Sequence, residues 1–380
     1  MGAIPTIVGR MASPPRPQVA NPAPRRPDRL LDEVGTPQRT LLVANPTARS
    51  GKAKRFIDQA MTALQDARLA PEFVSTLPDG ATVAALAERL EVGDAARVVY
   101  MGGDGTFAEA AKAIILARER TGMDVPLGML PMGTANDQGR SFGIVAGVRA
   151  LERNIGIIAA GIEQWLDVGR IEALGEDGEP VRSDLWFDSC GLGLSASILY
   201  TRNRDREFVE RVPFIRRFYR DKLVYTSATV RALLRGLVAG RGFSVEVTVD
   251  GERSTYEGVT DILVQGTILY AGDWIFDPTS KPDDGKFELI ILRGHADWAA
   301  AAIGGHKRNP VTNDDLEVLG LPRREVPRGA AIEIAVERPA DLGPVAAQID
   351  GEEWLSTDHY RIENLFHHLR IIVPEDPHWV

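Results

Sequence analysis

Arg97-Val98-Val99-Tyr100-Met101 runs straight into Gly102-Gly103-Asp104-Gly105-Thr106, and that junction decides the fold. The apolar, β-branched run predicts a strand. From Phe107 to Leu116 apolar residues recur at helical spacing. Strand, glycine turn, helix is an arrangement that brings backbone N–H groups up to a phosphate. Glycine permits close approach, and a helix start offers unpaired donors and partial positive charge. Asp104 is the unexpected residue, because a carboxylate repels phosphate. It makes sense if a magnesium ion lies between the two, or if Asp104 takes a proton from an attacking hydroxyl.

Outward from this junction the same texture repeats. Upstream, Arg39 to Ala44 reads as a buried strand, followed by the polar turn Asn45-Pro46-Thr47-Ala48-Arg49-Ser50-Gly51-Lys52. A helix with Phe56, Ile57, Ala60, Met61 and Leu64 on one face comes next. A second strand (Phe73 to Thr76) and a helix (Asp79 to Glu91) complete the run-up. Downstream, Pro126 to Leu130 reads as a fourth strand, ending in Pro131-Met132-Gly133-Thr134-Ala135-Asn136-Asp137. Alternating strands and helices predict a doubly wound parallel sheet, with ligand at the carboxyl ends of the strands. All three polar turns fall on that edge.

From about Ile162 the pattern changes. Trp165 to Ala173, Asp184 to Ser189, Phe243 to Val249, Val259 to Gln265, Phe287 to Leu292, Ala331 to Val336 and Val345 to Ile349 read as strands without regular crossover helices. The expected class is α/β: a nucleotide-binding parallel-sheet domain over 39–161, then a β-rich antiparallel domain over 162–359. Tyr360 to Val373 is expected to return to one of the two cores. Residues 1–38, rich in Pro and Arg, read as a disordered tail. The insertion 200–240 mixes Arg202, Arg204, Arg206, Arg211, Arg216, Arg217, Arg220 and Lys222 with aromatic residues. It reads as a membrane-surface element or as a solvated helix with one buried face.

The bulk numbers narrow the function classes. A net charge of −9 over 380 residues excludes a protein built to coat nucleic acid. The single cysteine, Cys190, permits no internal disulfide and fits a reducing compartment, so a cytoplasmic location is expected. No apolar run approaches the ~20 residues of a membrane span. His367-His368 reads as a strand-surface pair, and Trp165, Trp186, Trp274 and Trp354 read as core.

Taken together, Asn45-Pro46-Thr47 with Ser50-Gly51, the Gly102 to Thr106 turn, and Pro131 to Asp137 resemble the diacylglycerol kinase and sphingosine kinase family, in its soluble bacterial branch. Lys281-Pro282-Asp283-Asp284-Gly285-Lys286 and Asp350-Gly351-Glu352 extend the resemblance toward the end of the chain. It implies a nucleotide-binding domain followed by a β-sandwich domain, with the active site between them. By position, Asn45, Pro46, Thr47, Ser50, Gly51, Thr76, Gly102, Gly103, Asp104, Gly105, Thr106, Phe107, Ala108 and Thr134 would hold ATP. Glu352 would be the general base, with Asp104 ranked second. Asp350 would orient Glu352 or help hold metal, and Asp104 would bind or orient catalytic Mg2+ through water. Asp284, with the carbonyls of Lys281 and Lys286, resembles a structural magnesium site.

The implied activity is ATP- and Mg-dependent transfer of the γ-phosphoryl group to a hydroxyl of a diacylglycerol-like or sphingoid-like lipid, a step of phospholipid metabolism. The partners would be the lipid and, at the periphery, the membrane that carries it. The chain departs from the family pattern at Asp188, where an Asn is usual, at Ser195, where many relatives place an acid, and at Gln265-Gly266-Thr267. Two alternatives follow: a NAD kinase, which shares the glycine turn, and a catalytically degenerate lipid- or nucleotide-binding protein.

Overall fold

The computed structural model describes residues 39–48, 53–197, 199–200, 242–271, 274–294, 297, 312–318, 326–338 and 343–376. The tail 1–38, the insertion beyond Tyr200, and Ser50 and Gly51 of the first turn lie outside the described residues.

The first part runs β1 (Arg39–Ala44), α1 (Ala53–Asp66), β2 (Pro71–Ser75), α2 (Ala81–Glu91), β3 (Ala95–Gly102), α3 (Asp104–Thr121), β4 (Leu127–Pro131), α4 (Asp137–Ser141) and α5 (Leu151–Ala160). β1 to β4 are parallel and lie side by side in the order β4-β3-β1-β2. Alternate side chains leave each strand on opposite faces. Leu41, Val43, Val98, Tyr100, Leu127 and Met129 meet α2 and α3, whereas Leu42, Ala44, Val99, Met101 and Leu130 meet α1 and α5. A sheet apolar on both faces must be covered on both, so the doubly wound architecture follows from the strands themselves. The chain goes out from β1 to β2, then returns past β1 to β3 and β4. The switch point therefore lies between β1 and β3, where a crevice opens beyond the strand ends.

The second part comprises β5 (Glu163–Leu174), β6 (Pro180–Trp186), β7 (Ser189–Gly193), β8 (Phe243–Val249), β9 (Glu252–Gln265), β10 (Phe287–Arg293), β11 (Arg328–Gly329), β12 (Ala331–Glu337), β13 (Ala347–Ile349), β14 (Glu352–Trp354) and β15 (His359–Ile372). Neighbours here are antiparallel. β9 pairs with β8 through its first half and with β7 and β10 through its second. A strand that changes partners carries the chain between layers. One core lies between them, with Val245, Val247, Ile332, Ile334, Ile362 and Tyr360 facing Cys190, Leu192, Ile262, Val264, Leu289 and Ile349.

The run Asp184 to Ser189, expected as one strand, is two. β6 stops at Trp186 and β7 starts at Ser189, because the intervening backbone turns its amides toward Asp350.

β15 joins the two parts. It pairs with β5 and β12 in the antiparallel region, and its Ile371 pairs with Leu127 of β4. Its register breaks between Leu365 and Leu369, where His367 adopts φ 49°. Asp167 of β5 fills the break, accepting N–H groups from His367 (2.8 Å) and Gly285 (2.6 Å). His367 stacks between Trp165 and Phe366, more enclosed than a strand-surface residue. No described helix is long and apolar enough to cross a membrane.

Candidate functional site

A cleft of about 280 Å³ opens at the switch point. Asn45 follows β1 into it, Gly102, Gly103 and Thr106 come from the β3–α3 turn, and Gly133 and Thr134 come from the β4–α4 turn. Ala48, Phe56 and Ile57 supply an apolar wall. Three turns far apart in sequence thus share one space. Asn45 shapes the first of them, its Oδ1 accepting the Thr47 N–H at 2.9 Å and the Thr47 hydroxyl at 2.8 Å.

The glycines are required by the turns themselves. A Cβ on Gly133 would lie 2.5 Å from Gly103 Cα, and one on Gly102 would lie 2.5 Å from the Thr106 hydroxyl. Gly102 O accepts the amides of Met132 (2.6 Å) and Gly133 (3.1 Å), so two turns pack backbone on backbone. Asn136, held at φ 56°, closes the second turn on itself: its Oδ1 accepts Gly133 N–H at 2.6 Å and its amide donates to Gly133 O at 2.9 Å.

Asp104 opens α3, where a carboxylate suits the helix dipole. Its oxygens accept the Asn136 amide at 2.9 Å and the Gln138 amide at 3.4 Å. Burial lifts its carboxyl above the ordinary range, and these amides pull it back. Asp104 therefore locks the two glycine turns together.

The late acidic turn reaches the junction between β6 and β7. Asp350 and Gly351 take φ 48° and 77°, a geometry that suits an Asp-Gly hairpin between β13 and β14. The Asp350 carboxylate accepts the amides of Phe187 (3.0 Å), Asp188 (2.8 Å) and Ser189 (3.3 Å). Burial still raises its carboxyl to about 6. Phe187 in turn meets the edge of Phe107, the first aromatic residue of α3, at 5.6 Å. Lys112, one helical stretch further on, pairs with Asp184 of β6 at 2.6 Å. Glu352 follows the hairpin turn and is exposed.

Asp188 lies at the centre. It is buried, and its carboxyl is pushed well above the usual range by burial and by the charges of Asp137, Asp350 and Asp104. The Thr267 hydroxyl donates to its Oδ1. Sequence reading marked Asp188 and Thr267 only as departures from a pattern and passed over Lys112. One lysine among the charged residues of α3 gives no signal until Asp184 is known to lie opposite.

The remaining expected residues are placed as follows. Thr76 sits on the same edge, its amide bonded to Ala44 O at 3.0 Å, outside the cleft lining. Phe107 is buried in the core beneath α3, and Ala108 packs against that core, so their side chains face away from the cleft. Lys281 to Lys286 form a loop held by Asp167 and by Gln164, whose amide reaches Asp283 at 3.1 Å. Asp284 accepts only the Lys286 amide among the bonds resolved there, at 3.1 Å. Among the described residues no three acidic, histidine or cysteine side chains gather closely enough to cage a metal.

Residues 39–171 match the family model described as the diacylglycerol kinase catalytic domain. That stretch carries the glycine turn, the Asp104 lock and the switch-point cleft. This segment is similar to the diacylglycerol kinase catalytic domain. The chain is 40% identical over 74 residues to the "Probable lipid kinase YegS" of Salmonella newport, covering 20% of this chain and 23% of that one. It is 25% identical over 197 residues to a Mycobacterium tuberculosis "Diacylglycerol kinase", covering 52% and 54%. The chain thus spans about half or less of these relatives. In solved structures, a "putative diacylglycerol kinase" from Bacillus anthracis superposes with TM-score 0.62 at 19% identity, over 90% of this chain and 99% of that one. The diacylglycerol kinase fold thus extends across both parts of the molecule.

Proposed function

We propose that the protein is a lipid kinase that uses ATP and Mg2+ to phosphorylate a hydroxyl of a diacylglycerol-like or sphingoid-like lipid. The observation that carries this is electrostatic convergence. Asp104 of the glycine turn and Asp350 of the late hairpin both act on Asp188, which supports a reading in which Glu352, two residues after Asp350, serves the acceptor. ATP would lie across Asn45, Gly102, Gly103, Thr106 and Thr134, with Pro46, Thr47, Ser50 and Gly51 beside it and Thr76 near the base.

Phosphoryl transfer asks the protein mainly to position groups and neutralise charge. Glu352 would take the proton as the lipid oxygen attacks the γ-phosphorus and ADP leaves. Its exposed position allows it to meet a substrate that arrives from outside the cleft. Asp350 suits the orienting role, since its oxygens are already engaged by three amides. The same engagement makes Asp104 a weaker candidate for the base than for a group that fixes the phosphate turn.

The acidic character of the site supports a hard cation held through water: Asp104, Asp137 and Asp350 all bear electrostatically on Asp188, and Lys112 is the opposing charge that acts on Asp350. Asp104 would hold Mg2+ through water, with phosphate oxygens completing its shell. When bound, the ion would neutralise the charge that develops on the phosphates. Asp284 with the Lys281 and Lys286 carbonyls would hold a second, loop-pinning ion.

The test uses the purified full chain, γ-labelled ATP and Mg2+, with lipid extracts in mixed micelles and with NAD. Label in the organic phase is the expected result. Label on NAD would mark a NAD kinase, and nucleotide binding without transfer would mark a degenerate binding protein.

A further inference from the structure

The hairpin that carries Glu352 is short and stands at the rim of its sheet. β13 and β14 have three residues each. β13 pairs with β7 on its other side, whereas β14 pairs, among the described residues, with β13 alone. An edge strand of this length has little of its own to fix its register. The register matters here, because Glu352 and Glu353 are neighbours that leave the strand on opposite faces. A slip by one residue would exchange the two.

Hydrogen bonds from outside the ladder hold the hairpin at both ends. At the turn, Gln348 Oε1 accepts the Gly351 amide at 2.8 Å, and Asp350 is fixed by the amides of Phe187 to Ser189. Gln348 is buried and lies over Gly191, where a Cβ would come within 2.8 Å of its Nε2. At the open end, the hydroxyl of half-buried Tyr200 reaches the last pair of the hairpin, Ala347 and Trp354. It lies 2.6 Å from Trp354 O, 3.1 Å from Ala347 O and 3.4 Å from the Ser356 hydroxyl. A phenol has one proton to donate, and the shorter distance gives it to Trp354 O. Tyr360 pins the residues that follow, its hydroxyl donating to Leu355 O at 3.2 Å and accepting the Thr357 amide at 2.7 Å. The Trp354 side chain is sunk in the antiparallel core, and by alternation Glu352 shares its face of the strand. Fixing Trp354 therefore fixes the direction in which Glu352 leaves.

We infer that Tyr200 is a positioning residue for the transfer: through the Trp354 and Ala347 carbonyls it holds the register that presents Glu352, and not Glu353, to the acceptor hydroxyl. This deepens the lipid-kinase reading above and rests on it. The Tyr200 hydroxyl bonds to the backbone of the hairpin, so it acts on the reaction through Glu352.

The experiment reads transfer from γ-labelled ATP to dioleoylglycerol and to sphinganine in mixed micelles. Tyr200→Phe should lower kcat about tenfold and leave the ATP KM within about twofold. In a Glu352→Gln background the same substitution should change kcat by less than about twofold, because the group it positions is already gone. Gln348→Met, which loosens the other end of the hairpin, should behave like Tyr200→Phe in both backgrounds. Glu353→Gln, at an exposed position, should leave kcat within about twofold of wild type. Thermal unfolding shows that each variant is folded, and a purely structural clamp would give the same loss with and without Glu352. Additive losses, an unchanged kcat in folded Tyr200→Phe and Gln348→Met, or a Glu353→Gln as damaging as Glu352→Gln overturns the clamp alone. Absence of label in both lipids with the wild-type chain overturns the clamp together with the kinase reading.

Discussion

In the parallel-sheet part, Gly103 and Gly133 meet backbone to backbone, and a single carboxylate, Asp104, ties their turns together. In the antiparallel part the strands also pair through their backbones, but side chains add a second kind of joint. Buried carboxylates do the joining: Asp350 gathers the amides of Phe187 to Ser189, and Asp261 gathers Ser195. One wall is shaped by the absence of side chains, the other by side chains whose burial is tolerated because backbone N–H groups surround them. The first kind tolerates no added atom where the turns close on themselves, at Gly102 and Gly133. The second tolerates a change of shape but depends on protonation and on long-range partners.

That contrast can be tested from its largest effect downward. Glu352 is exposed, so Glu352→Gln should leave folding unchanged and lower kcat by ~10²–10⁴-fold, with the ATP KM preserved. Steady-state kinetics beside a urea titration checks both halves. An effect mainly on the ATP KM would move Glu352 out of the acceptor wall.

Next comes the glycine wall. Gly133→Ala should lower stability by about 2–3 kcal/mol and weaken ATP binding, since its Cβ meets backbone that cannot yield. Gly105→Ala, with nothing within 4 Å of its Cβ, should change stability by less than ~0.5 kcal/mol. Equal effects at the two positions would mean that the turns do not pack as described.

The smallest effect belongs to the carboxylate-rich half. Glu288 of β10 is fully buried, and burial raises its carboxyl from 4.5 to about 7, against the pull of Ser280 and Arg328. The folded chain then holds this proton across the window from about 4.5 to 7, where the unfolded chain has released it. Stability from this group is therefore full at the acid end and lost as pH rises through 7. Between pH 7.5 and 5.5 it should contribute about 1–2 kcal/mol of added stability. Urea unfolding at both values checks this, and Glu288→Gln should flatten the difference.

Much of the fold was legible because its signals are local. The strand-turn-helix texture, the three polar turns and the change of pattern near Ile162 all lie within short windows. The cleft residues Asn45, Gly102, Gly103, Thr106 and Thr134 could be named in advance for the same reason. Phe107 and Ala108 belonged to the same motif, but helix geometry rotates their side chains into the core. The carboxylate joints of the antiparallel part were not legible in this way. Asp350 meets Phe187, Asp261 meets Ser195 and Lys112 meets Asp184 only after distant strands pair. The break of Asp184 to Ser189 into two strands has the same origin. Its apolar pattern continues, and only the distant Asp350 makes the backbone turn.

β15 carries a consequence for how the molecule assembles. Its Leu369 and Ile371 complete the layer under α2 and α3, its Ile372 completes the opposite layer, and its Tyr360 and Ile362 complete the antiparallel core. β4 emerges from the ribosome long before the segment that will lie beside it, so its edge waits, half-covered, for most of synthesis. Such late, long-range closure is slow. It also ties completion of the cores in both parts to one strand.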